Sequence, residues 1–480
     1  MAVKISEMEI RQIVSEVLHR LQDQIPIGPG TAAGIPAGDG VFASVDEAID
    51  AASAAYRKMC ELSLSDRERI IAKMRETALA HAEELAELAV RETGLGRVKD
   101  KIAKNRLAAE KTPGVEDLVP LSFTGDRGLT LVENAPLGVI GSITPTTNPA
   151  ATIINNSISM VAAGNAVVFN PHPNAKQVSI QAMQLLNRAI VAAGGPENLL
   201  TCVANPSIET SEQIMHHPRI NALVVTGGGA VVRAALKSGK KVIAAGPGNP
   251  PVIVDETADL AQAGRDIVLG ASFDNNILCT AEKEVFVVDS VAQALKEEMI
   301  RNGAYELKGT QLDKLLELTL VKRSEPGASG GWLPNKDWVG KDANRLLEAI
   351  GIRRNEDTRL IIAETKEDHP LVVTEMLMPV LPIVRVPNVD AALAAAIRAE
   401  KGNRHTAMMH SRDIRNTTKA AQMLNTTIFV VNGPSYAGLG MGAEGFTTLT
   451  IAGPTGEGLT SARTFTRKRR CAMVDALRII

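Results

Sequence analysis

Apolar and polar positions change their spacing several times along the chain, and each change marks an element. Near the N-terminus Ile10, Ile13, Val14, Val17, Leu18 and Leu21 recur three and four positions apart, with Glu9, Arg11, Gln12, Glu16 and His19 between them. That spacing predicts an amphipathic helix within residues 1–22, with a single apolar stripe. Ser6 followed by Glu9 fits a capping box at its start. Beyond Ile25 the periodicity stops: Pro26, Pro29, Pro36 and interspersed glycines make residues 23–41 a flexible linker. A helix on such a tether needs a surface for its stripe. That surface is either the body of its own chain or a different protein.

Residues 44–110 are rich in Ala, Glu, Arg and Leu and read as helices. From Leu129 onward short apolar runs alternate with helical patterns. Strands are expected at Gly138–Ile143, Ala166–Asn170, Ala222–Thr226, Lys241–Ala244 and Pro251–Asp255, and helices at Ala175–Ala193 and Ala230–Ser238. A second alternating region, about 265–430, has strands near Glu284–Val288, Arg359–Glu364 and Thr427–Val431, and an alanine-rich helix at Ala391–Arg398. Buried strands alternating with helices predict an α/β protein with parallel sheets.

Composition narrows the function. The 480 residues are 45% hydrophobic and 22% charged, enough apolar material for a core. A net charge of −2 and 3% aromatics argue against nucleic acid as the main partner. No apolar run approaches the length of a membrane span, and Lys4, Glu7, Glu9 and Arg11 interrupt any signal peptide. Cys60, Cys202, Cys279 and Cys471 are too few and too scattered for a disulfide framework or a zinc site, so no metal is expected. Their usage fits a reducing compartment.

Four segments could carry chemistry. Cys279 ends a polar-then-apolar run from Phe273, just before the strand Glu284–Val288, where a thiol could be an accessible nucleophile or a small core filler. Thr226, Gly227, Gly228 and Gly229 join a strand to a helix, as in a phosphate cradle or a tight structural turn. Thr144, Pro145, Thr146, Thr147, Asn148 and Pro149 end another strand. There Asn148 could offer an amide to an oxyanion or simply build a turn. Glu375 sits in an apolar, Pro-bounded segment, where it could bind a ribose or start a strand at the surface.

Together, and in this order, these segments resemble the aldehyde dehydrogenase superfamily, and within it the CoA-acylating branch, over roughly residues 42–470. The resemblance implies an aldehyde dehydrogenase fold. A Rossmann-like NAD-binding domain would hold 42–120 and 138–247, and an α/β catalytic domain 248–446. A small oligomerisation element would combine 121–137 with the C-terminal region 447–480, making a dimer or tetramer. The resemblance makes Cys279 the nucleophile and Asn148 the oxyanion donor. It also implies that NAD is held by Thr144, Pro145, Thr146, Thr226, Gly227, Gly228, Ala245, Gly246, Glu375 and Leu377.

Two departures from hydrolytic members are informative. Their water-activating glutamate has no counterpart in Val242–Pro251, which contains no carboxylate. Water without a base is a poor nucleophile for a thioester, whereas the thiol of coenzyme A ionises far more readily. Asn170 and His172 stand where those members place a ribose-binding lysine. NAD is therefore expected over NADP, because no basic residue awaits a 2′-phosphate. His405 and His410 also resemble a segment of the acylating branch. Either could help deprotonate the CoA thiol, or both could be structural. The run Arg467–Arg470 could attract CoA phosphates, form a solvated face or pair between subunits.

Residues 1–22 resemble the encapsulation helices of the acylating dehydrogenases of propanediol- and ethanolamine-utilising bacterial microcompartments. The implied activity is oxidation of a short-chain aldehyde, propionaldehyde favoured over acetaldehyde, to acyl-CoA and NADH. It would take place inside a microcompartment in the bacterial cytoplasm, with a shell or co-cargo protein as partner. The rivals are a hydrolytic dehydrogenase giving the free acid and a catalytically idle shell-associated scaffold.

Overall fold

The computed structural model describes residues 38–322 and 331–480. The expected helix 1–22 and most of the linker lie outside them. Helix starts follow local chemistry. Ser44 and Glu47 exchange backbone and side-chain hydrogen bonds to begin Val45–Met59, and Ser63 and Asp66 do the same for Leu64–Ala80.

A six-stranded parallel sheet carries the first half, in the spatial order Val41–Phe42, Leu200–Val203, Ala166–Pro171, Val139–Thr144, Ala222–Thr226, Lys241–Ala245. Val139–Thr144 lies at the centre. The chain runs from it to one side, through Ala166–Pro171 and Leu200–Val203, and then returns to its other flank at Ala222–Thr226. This reversal is a topological switch point, and it opens a crevice at the C-terminal ends of Val139–Thr144 and Ala222–Thr226.

The second half forms a seven-stranded parallel sheet, ordered Ala304–Glu306, Leu360–Glu364, Val380–Val386, Glu284–Val288, Pro251–Val254, Thr406–His410, Ile428–Val431. The chain changes sheet between Ala245 and Pro251. Several strands of the two sheets have no clear signal in the sequence. Val380–Val386 is interrupted by Pro382, and Leu200–Val203 and Thr406–His410 are too short for period alone to separate from helix. Most strands have both faces covered and lack polar alternation: Val139–Thr144, Ala166–Pro171 and Glu284–Val288 are buried at every position.

A three-stranded antiparallel sheet stands apart from both. Gly128–Pro136 is its centre, with Leu121–Gly125 on one side and Thr466–Val474 on the other. Leu121, Phe123 and Val474 are exposed on it. The run Arg467–Arg470 lies on its outer strand, facing solvent.

Candidate active site

The two large sheets meet end to end. Thr144, Thr226 and Ala245 close strands of the first sheet. Gly248, Cys279, Glu375 and His405 each precede a strand of the second. Lys104 bonds both Asn148, which follows Val139–Thr144, and Asp274, which precedes Cys279, so the C-terminal edge of one sheet faces the N-terminal edge of the other along a seam that holds these residues.

Cys279 lies in a turn closed by the Ala281 amide donating to the Leu278 carbonyl at 3.0 Å. The turn is preceded by an unusual backbone: Asp274, Asn275 and Asn276 all have left-handed φ values of 48°, 53° and 66°. Only Asn and Asp among non-glycine residues enter this region readily, which accounts for the residue types. Cations hold each of the three. Lys101 Nζ lies 3.1 Å from Asp274 Oδ2, and Lys104 Nζ also contacts that oxygen. Arg97 Nε donates to Asn275 Oδ1 at 3.1 Å. Lys283 Nζ donates to the Asn276 carbonyl at 2.9 Å and to its Oδ1 at 2.6 Å. Asn276 in turn bridges the carbonyls of Ala271 and Glu282, so the loop that carries Cys279 is cross-braced.

Asn148 is the N-cap of the wholly buried helix Pro149–Ala162, but its side chain does not cap that helix. Its Oδ1 accepts from Lys104 Nζ at 2.5 Å, and its Nδ2 donates to Thr147 Oγ1 at 3.2 Å. Glu375 and Leu377 alternate with Met376 and Met378, which are buried in the core. The alternation turns Glu375 away from that core. Leu377 takes a left-handed φ of 53°, and its carbonyl accepts from the Gly340 amide at 2.9 Å.

The electrostatics are those of a closed site. Burial, and then the neighbouring Glu375 carboxylate, push the Cys279 thiol up to about 11, against the pull of Lys283 and Lys104. Burial likewise raises the Glu375 carboxyl and lowers Lys283. Burial, then repulsion by Lys104, brings Lys101 down to about 8. Burial alone would raise Asp274, but Lys104 and Lys101 outweigh it and hold its carboxyl below the usual range. Cys279 is half-buried, and the other thiols differ from it. Cys202 is buried and pushed up to about 12, and Cys60 and Cys471 are exposed on the surface.

His405 and His410 part company in the structure. They flank opposite ends of the strand Thr406–His410, and only His405 lies on the seam. A Cβ added at Gly248 would sit 3.0 Å from both the Cys279 carbonyl oxygen and the His405 ring. His405 Nδ1 bonds Thr406 Oγ1 at 2.8 Å, and its buried Nε2 has no partner. Burial, then the charge of Lys283, lowers its imidazole to about 4.

The crevice of the first sheet has the features of a dinucleotide site. The hydroxyls of Thr144 and Thr146 are buried without partners, so they are left for a ligand. A Cβ added at Gly228 would meet nothing within 4 Å, so a ligand can approach that backbone closely. Thr226 Oγ1 reaches Thr450 Oγ1 at 3.3 Å, and Gly246 packs against Pro454. These residues fit NAD. Asn170 is otherwise employed: Ser207, Thr210 and Ser211 take up its carboxamide, which anchors the helix Ile208–His216. His172 is half-buried beyond it, with Nδ1 accepting from the Asn174 amide. Among the described residues no group of His, Cys, Asp or Glu side chains could hold a metal ion, and no helix is long and apolar enough to cross a membrane.

Sequence reasoning missed Lys101, Lys104, Asp274 and Lys283. A signal existed for the first two. The helix Val98–Lys111 has too few apolar residues for a buried stripe, so its inward face had to include polar side chains.

The aldehyde dehydrogenase family model matches residues 29–319. The chain is 54% identical to the acetylating acetaldehyde dehydrogenase EutE of Escherichia coli, covering 99% of this chain and 100% of that one. Among solved structures it is similar to a Rhodopseudomonas palustris propionaldehyde dehydrogenase with bound CoA and an acylated cysteine. That match has 51% identity and a TM-score of 0.89, over 92% of this chain and 100% of the other. A propionaldehyde dehydrogenase from the Clostridium phytofermentans fucose utilisation bacterial microcompartment matches at 48% identity and a TM-score of 0.89. It covers 92% of this chain and 100% of the other.

Proposed function

The chain belongs to the aldehyde dehydrogenase family, and from that premise we propose that it oxidises a short-chain aldehyde with NAD and coenzyme A to acyl-CoA and NADH. The convergence of Cys279, Asn148 and Glu375 on one seam, with no carboxylate from residues 242–251, carries this reading.

Cys279 attacks the aldehyde carbon as its thiolate and forms a thiohemiacetal. The Asn148 amide and the Cys279 backbone N–H face the resulting oxyanion. Glu375 would hold the nicotinamide ribose of NAD, which when bound would supply the hydride acceptor for the thiohemiacetal carbon. The acyl group then rests on Cys279 as a thioester. Coenzyme A then attacks the thioester through its thiolate, displaces the Cys279 thiolate and releases acyl-CoA, with the partnerless Nε2 of His405 on the same seam receiving the thiol proton.

The exposed apolar side chains of the three-stranded sheet, Leu121, Phe123 and Val474, support a homo-oligomer formed through that sheet. Arg467–Arg470 on its outer strand then supplies inter-subunit ion pairs. Residues 1–22 attach the enzyme to a microcompartment shell or co-cargo protein, and confinement suits a volatile, reactive aldehyde. Propionaldehyde and acetaldehyde are both within reach, since one methylene changes pocket affinity by only about 1–3 kcal/mol.

The test is NADH formation from propionaldehyde and from acetaldehyde, with and without coenzyme A, with products identified by mass. Strict CoA dependence with acyl-CoA as product is expected. CoA-independent turnover to the free acid would overturn the reading in favour of hydrolysis, and no turnover with any short aldehyde would favour an idle scaffold.

A further inference from the structure

Asn148 combines two observations that do not follow from its place in the sequence. An Asn at an N-cap ordinarily accepts a hydrogen bond from its own helix. Here no such bond forms, and Oδ1 accepts instead from the buried ammonium of Lys104. A lysine ammonium only donates, so the carboxamide has one admissible orientation: oxygen toward Lys104, nitrogen away from it. Nδ2 spends one N–H on Thr147 Oγ1, and no other acceptor among the described residues takes the second.

Lys104 is itself fixed. Its side chain is 3% exposed and contacts Asp274 Oδ2. Lys101 holds the same carboxylate and also donates to the Thr147 carbonyl at 3.2 Å. Asp274 opens the left-handed turn that delivers Cys279, and its amide donates to Asp100 Oδ2 at 2.9 Å. One buried ammonium thus links the turn of the nucleophile to the amide across from it.

We infer that Lys104 is the positioning residue of the oxyanion site: it locks the Asn148 carboxamide with its N–H₂ toward the reacting carbonyl and polarises that amide as a donor. The inference rests on the reading of Asn148 as oxyanion donor. A positive charge beside the amide oxygen strengthens donation from the nitrogen, and a locked amide needs no reorganisation as charge develops.

The test is a double-mutant cycle on the full-length enzyme, read as the pre-steady-state rate of NADH formation with aldehyde, NAD and CoA. Asn148→Ala is expected to slow this rate about 10²–10³-fold. Lys104→Met is expected to slow it at least about tenfold in the native background but less than about twofold beside Asn148→Ala, with KM for the aldehyde little changed. Lys104→Gln, which keeps a donor without the charge, should recover part of the loss. It carries the same cycle if Lys104→Met melts below the assay temperature. An equal loss from the Lys104 variants in both backgrounds would overturn the inference while leaving Asn148 as the oxyanion donor. A near-native rate for Asn148→Ala would overturn the oxyanion reading and the inference with it.

Discussion

Gly96 passes so close to Asp274 that a Cβ added there would lie 1.9 Å from Asp274 Oδ1. The glycine has a left-handed φ of 74°, and its amide donates to the Gly340 carbonyl at 2.9 Å. The next residue, Arg97, donates its own amide to the same Asp274 oxygen at 2.7 Å. Glycine is required here by φ and by space at once.

Gly96→Ala should therefore displace Asp274 and the turn that ends in Cys279. The expected cost is about 1–3 kcal/mol of stability, with a loss of CoA-dependent NADH formation larger than the stability change alone explains. Thermal melting and steady-state assays check this. A variant with native melting temperature and native turnover would show that the turn tolerates the shift.

Cys279→Ala should abolish CoA-dependent NADH formation, and normal turnover by that variant would rule out the thioester route. Burial and then the Glu375 carboxylate push the thiol up to about 11, so alkylation by iodoacetamide should accelerate steadily from pH 7 toward that value. After burial, the Glu375 carboxylate is the largest cause of the elevation. Removing its negative charge favours the thiolate, so Glu375→Gln should alkylate faster at pH 8. KM for NAD should rise in the same variant. Slower alkylation would mean the carboxylate does not act on the thiol.

Burial lowers both His405 and His410 to about 4 in the folded protein, below the ordinary 6.5. Between those values the unfolded chain binds protons that the folded chain refuses. Their stabilising contribution is complete above 6.5 and is lost as pH falls toward 4, with a slope of up to about 1.4 kcal/mol per pH unit for each. Urea unfolding at several pH values should show this decline. His410→Gln, remote from the seam, should shallow it without reducing turnover, and an unchanged slope would contradict the assignment.

Deleting residues 1–22 should leave turnover intact and abolish co-purification with microcompartment shells. Loss of turnover on the same deletion would instead mean that the segment folds back on its own body.

The sequence by itself was enough for the order of Asn148, Cys279 and Glu375 and for the strands Ala222–Thr226 and Glu284–Val288, whose bounds match those expected. Continuous apolar runs between breakers are local signals, and a parallel sheet buried on both faces writes them directly into the chain. What joins across the seam is not local. The inward turn of Lys101 and Lys104 has a trace in the sequence of their helix, but their partner Asp274 lies 170 or more positions away. Asn170 reads as a ribose-side residue from the sequence, and only the fold shows that its carboxamide also bonds the start of the helix Ile208–His216. His405 and His410 are equivalent as letters, and the direction of one strand assigns them to opposite edges. A buried polar group takes its role from its partners, and the partners of Asp274 and Asn148 come from distant parts of the chain. Only the tertiary structure brings them within bonding distance.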